Sequence, residues 1–68
     1  MDIDIRKYIN DNFKEESSKS IKETIIESIK SKDDVTLPGL GVMFELVWNN
    51  SNSVEQDEII NKIKKALS

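Results

Sequence analysis

The sequence predicts an all-α fold, a compact bundle of about four short helices, on three observations. Apolar residues recur at i, i+3, i+4 spacing in separated segments, and Ser-x-x-Glu or Ser-x-x-Gln boxes stand at the start of two of them. The two Gly and the single Pro all fall between residues 38 and 41, so the other segments are free of helix breakers. With 68 residues there is room for one domain, residues 1–68, and one small core. A chain of that size is expected to be stable by roughly 3–10 kcal/mol in all.

In the first segment Ile5, Tyr8, Ile9 and Phe13 line one helical face, and Asp2 or Asp4 is placed to cap its start, which predicts a helix over about 3–13. Residues 15–19, Glu-Glu-Ser-Ser-Lys, read as a connection, being polar and rich in side chains that compete for backbone hydrogen bonds. A second helix over 21 to about 31 follows from the Ser20-Ile21-Lys22-Glu23 capping box and the stripe of Ile21, Ile25, Ile26 and Ile29. The last helix takes Ser53-Val54-Glu55-Gln56 as its box and Ile59, Ile60, Ile63, Ala66 and Leu67 as its stripe, with acids first and lysines last. Glu58 and Lys62 are spaced for an i, i+4 ion pair.

The third segment, residues 37–48, holds the only Trp and is too apolar for a solvated loop. As a helix from about Pro38 it places Leu40, Met43, Phe44 and Val47 on one face, widened by Leu46 and Trp48, and such a helix would be central. The alternative is an α+β fold with residues 35–48 as a strand or hairpin after a helical pair, Val42, Phe44, Leu46 and Trp48 sharing one face. Helix is preferred, because a lone strand would leave its backbone groups unsatisfied. Phe44 and Trp48, four apart, read first as core and second as an interaction surface. The glycines read as allowing close backbone approach or an unusual dihedral where a turn enters the segment.

Composition removes most chemistry. There is no Cys and no His, so no disulfide and no conventional zinc site, and no nucleophile with a base beside it; we expect no enzyme, no catalytic residue, no metal and no cofactor. The acidic pairs Glu15-Glu16 and Asp33-Asp34 sit in polar connections as solvated carboxylates, and Gly39-Leu40-Gly41 lacks the third Gly and the Lys-Ser/Thr of a phosphate loop. The start is polar and acidic, unlike a secretory signal, and no apolar run reaches the roughly 20 residues of a membrane span, which points to the cytosol and away from a membrane. Net charge is −3, so there is no overall basic field for nucleic acid. Lys30, Lys32, Lys62, Lys64 and Lys65 are the candidate local nucleic-acid contacts, although lysines late in a helix also answer its dipole.

Several stretches together carry a resemblance: Met1-Asp2 with Arg6, Glu23-Thr24-Ile25 with Glu27 and Ile29, the run Leu37-Pro38-Gly39-Leu40-Gly41-Val42-Met43-Phe44-Glu45 with Trp48, and Asp57-Glu58 before Ile59-Ile60. On these residues the chain resembles the small acid-soluble spore protein I family of endospore-forming Firmicutes, departing mainly in a tail richer in Lys and Asn. The resemblance implies a sporulation-associated protein of the forespore and spore core. It supplies no catalytic or ligand-binding residues, and the DNA-coating role of the major α/β-type spore proteins does not transfer with the name. A second likeness is local. Residues 31–44 are similar to the junction in histone-like DNA-bending proteins where two helices lead into a strand through a Gly-Phe-Gly turn, with Leu40 in place of the Phe and without the long basic arms that minor-groove binding needs.

The leading expectation is a non-enzymatic spore-core protein acting by packing, by binding or as an amino-acid store. Two alternatives stand beside it: a nucleic-acid-associated module using the lysines, and an oligomer or protein-interaction module whose contact motif is Leu37, Pro38, Gly39, Leu40, Gly41, Phe44 and Trp48, with DNA, other spore proteins or a second copy as the partner.

Overall fold

Asp4 opens the first helix: its extended backbone turns the chain in, and its carboxylate accepts a hydrogen bond from the Lys7 amide at 3.0 Å. The computed structural model describes residues 4–68, which form α1 (Ile5–Phe13), α2 (Ser18–Ser31), α3 (Leu37–Asn49) and α4 (Ser53–Leu67), gathered within 35 × 29 × 26 Å. The fold is all-α, as the periodicity predicts, and the segment with two readings is a helix. The strand or hairpin over 35–48 is therefore set aside, and with it the local likeness to the DNA-bending junction, since α3 follows where that junction would lead into a strand. Ile3, at the expected start of the first helix, and the Asp2 alternative cap lie outside the described residues.

Two caps differ from the expected ones by a short shift. The cap of α2 is Ser17, whose Oγ accepts from the Ser20 amide at 3.1 Å, so Ser18 and Lys19 belong to the helix and the connection is shorter than expected. The box of α4 is built by Asn52 and Glu55: the Asn52 side chain accepts from the Glu55 amide and the Glu55 carboxylate accepts from the Asn52 amide, both at 2.8 Å. Asn was the better cap because its carbonyl oxygen reaches the third amide, which releases Ser53 into the first turn. Glu58 and Lys62 do not form the expected ion pair; among the described residues the ion pairs are Arg6–Glu45 and Lys7–Asp11.

Helix α3 is central, packing chiefly against α1 and more lightly against α2. Among the described residues the buried apolar side chains are Ile9 of α1 and Val42 of α3, 7% and 9% exposed, and full burial of such a side chain contributes about 1.5–3 kcal/mol. This corrects the expected inner face of α3. Val42 is on the side that meets α1, while Phe44 and Val47, expected inside, are about half exposed. On α2, Ile21 and Ile25 are half-buried, whereas Ile26 and Ile29 of the same stripe stay in solvent.

Candidate interaction surface

The site is assembled where three helices meet and fail to close. Ile5, Ile9 and Phe13 of α1, Thr24 and Ile25 of α2 and Leu40 and Met43 of α3 surround an open, almost wholly apolar cavity of about 490 Å³. Its floor at α3 is thin because Gly39 has no side chain; a Cβ built there would meet Ile9 Cδ1 at 3.5 Å, an ordinary contact. Neither glycine has a positive φ, so the expected unusual dihedral is absent, and both lie within helical backbone. Gly41 faces open space, with nothing within 4 Å of an added Cβ.

Polar groups hold this frame at its edges. On one side the Arg6 guanidinium grips the Glu45 carboxylate in a two-point contact, Nε to Oε1 at 2.8 Å and Nη2 to Oε2 at 2.7 Å, fixing α1 against α3. The hydrogen bonds and charge of Arg6 hold the Glu45 carboxyl below the usual glutamate range, and Glu45 in turn raises Arg6. Within α1 the Lys7 ammonium does the same to Asp11 at 2.6 Å. At the other end of the groove the Thr36 hydroxyl reaches back to two carbonyl oxygens, Asp33 O at 2.8 Å and Ser28 O at 3.2 Å, and so ties the turn between α2 and α3 to the end of α2.

The elbow between α3 and α4 is short and saturated with hydrogen bonds. The side chains of Asn50, Ser51 and Gln56 donate to the carbonyls of Leu46, Val47 and Trp48 at 2.8, 2.6 and 3.1 Å, satisfying acceptors that a helix end leaves open. Beside this elbow the Phe44 and Trp48 rings stack with centroids 6.0 Å apart. Phe44 is 46% exposed, which overturns its reading as core and keeps it as surface.

The expected contact motif is thus divided between faces of α3. Pro38, Gly39 and Leu40 line the groove; Phe44 and Trp48 sit by the elbow; Leu37 and Gly41 are exposed. The lysines are divided as well. Lys30 and Lys32 stand at the end of α2, Lys32 as a left-handed cap with φ 50°, and Lys62, Lys64 and Lys65 occupy the last turns of α4. Sequence reasoning missed Val42, the Arg6–Glu45 clasp and the contribution of α2 to the groove through Thr24 and Ser28. The last had a signal, since Thr24 and Ser28 fall beside Ile21 and Ile25 on the helical wheel. Among the described residues no three carboxylates gather to hold a metal ion, and no helix is long and apolar enough to cross a membrane.

A family model, "Small, acid-soluble spore protein I", matches residues 3–67. A protein of that name from Halalkalibacterium halodurans is 33% identical over 67 residues, 98% of this chain and 98% of its own. Those of Bacillus mycoides and Shouchella clausii are 33% and 32% identical, over 98% and 100% of this chain and 97% and 99% of their own. No solved structure matches. A match over nearly the whole length establishes that the chain belongs to the small, acid-soluble spore protein I family, a family of sporulation-associated proteins.

Proposed function

We propose that this chain is a non-enzymatic protein of the spore core that acts by associating with protein. One observation carries the reading: among the described residues twelve large apolar side chains, from Tyr8 to Leu67, are at least 40% exposed. Among the same residues only Ile9 and Val42 are well-buried apolar side chains, so much of the chain's apolar surface stays outside. Its total accessible surface is 6046 Å², against about 4,400 Å² for an average folded monomer of its mass. Family membership supports the sporulation context, and an apolar surface suits a protein partner better than a phosphate backbone.

Fractionation and a titration test the two halves of this reading separately. Immunoblots are expected to find the protein in purified spores and not in vegetative cells; the reverse distribution overturns the spore assignment. Backbone NMR titration with duplex DNA at low and moderate salt is expected to leave the lysine amides unmoved. Shifts clustered on Lys30, Lys32, Lys62, Lys64 and Lys65 that fade steeply with salt would replace protein association with nucleic-acid binding.

A further inference from the structure

The groove and the outer face of the last helix are both apolar, yet within one chain no residue of α4 lines the groove. The apolar stripe of α4 begins at Ile59, which is half-buried, and then runs out uncovered through Ile60, Ile63 and Leu67, which are 42%, 40% and 81% exposed. Spaced i, i+3, i+7, these three present one continuous helical face. The groove between α1, α2 and α3 is an apolar slot of a kind that receives such a face. On α3, however, the lining residues Gly39 and Met43 lie about 100° or more around the helix from Phe44 and Trp48, with Leu40 between the two sides. The elbow pairs its carbonyls and amides at both helix ends, and α4 leaves it without contributing a residue to the groove lining.

We propose that this chain forms a two-fold homodimer in which the groove of each protomer takes the Ile60–Ile63–Leu67 face of α4 from the other. The inference deepens the association reading above, and rests on it, by naming the partner as a second copy. Area supports it: the surface exceeds that of an average monomer by about 1,700 Å². A standard interface buries about 800 Å² from each partner, so such a contact made twice by symmetry takes about 1,600 Å² from each chain, close to the whole excess. Charge supports it too. Lys62, Lys64 and Lys65 flank Ile63 and Leu67 and form no ion pair among the described residues. Acids that form no ion pair among the described residues stand next in sequence to groove residues, Glu23 and Glu27 beside Thr24 and Ser28 and Asp34 beside Val35, against one such base, Lys14 beside Phe13. A basic-edged helix thus meets an acid-edged groove, and the two-fold exchange closes without leaving either element over, so the assembly stops at two.

Sedimentation equilibrium of the full chain from about 1 to about 500 μM is expected to show the mass rising from 7.8 kDa toward twice that value. The double variant I60K/I63K is expected to weaken association at least about 100-fold while keeping its far-UV circular dichroism, because both side chains are already exposed within one chain. Geometry is read by a spin label on Lys64→Cys, in a chain with no other cysteine, mixed with isotope-labelled wild type. Broadening of the amides of residues 24–28 and 40–43 in the labelled-isotope chain supports the exchange. Dimers whose broadening falls on Phe44 and Trp48 overturn groove docking and leave protein association standing. A monomer throughout the range, or broadening of the groove by the label of the same chain, overturns the homodimer. Spore fractionation and the DNA titration are untouched by any of these results, so failure here is distinguishable from failure of the functional reading.

Discussion

Replacing Gly41 with Ala should make this protein more stable, and the structure sets the size of the gain. Gly41 is the fifth residue of the 13-residue helix α3, with its φ on the ordinary negative side and no atom within 4 Å of an added Cβ. The methyl therefore enters without strain or collision, and what remains is the cost of glycine in a helix interior, about 0.5–1 kcal/mol relative to alanine. Part of the gain arises in the unfolded chain, which loses conformational freedom. Against a total of roughly 3–10 kcal/mol this is a large fraction. Urea denaturation followed at 222 nm, with a slope of about 1 kcal/mol/M for so small a protein, should move the midpoint up by about 0.5–1 M with the slope unchanged. Thermal melting should rise by about 2–8 °C. Both proteins must be compared at one low micromolar concentration, so that association acts on them equally. A lowered midpoint would refute the reasoning, because it would mean that the bare Cα of Gly41 is needed for a contact beyond the single chain.

The remaining predictions concern ends and edges. Ser17→Ala and Asn52→Ala should each cost about 1 kcal/mol in denaturant midpoint, as losses of true caps, whereas Ser20→Ala and Ser53→Ala should stay within about 0.5 kcal/mol of wild type; the opposite ranking would restore the boxes expected from sequence. Carbon-detected NMR titration should place the Glu45 midpoint below the ordinary glutamate range and return it to that range in Arg6→Gln. Because the folded value is the depressed one, the clasp adds stability above the unfolded glutamate pKa and loses it as pH falls through the lower folded value, so Arg6→Gln should flatten the acid limb of the stability curve. Unchanged Glu45 titration in Arg6→Gln would show that the guanidinium is not its partner in solution.

Much of the backbone is legible in the sequence because helices are local objects. Asp4, the 3.6-residue stripes and the Pro38 that occupies the first turn of α3 all act within a few residues of where they stand. The shifted caps were within reach of the same logic, since Ser17 and Asn52 each lie near the serine that was expected to serve, and the geometry of the third amide decided between them. The site is harder to read for a physical reason. A stripe says that a face is apolar but not whether the chain has enough other surface to cover it, and here it does not, so Phe44 and Val47 face out while Val42 is buried. The Arg6–Glu45 clasp spans 39 positions, and periodicity has no reach over that distance.

Thr36 has a mechanical consequence. Its hydroxyl fastens the turn after α2 at one end of the groove, while α2 otherwise touches α3 lightly along its length. A 14-residue helix is about 21 Å long, and its other end is tied to α1 through the four residues 14–17. The slot is therefore a strung frame, fastened by the Thr36 hydrogen bonds at one end and by the short chain connection at the other, with little packing between α2 and α3 to draw its apolar walls together.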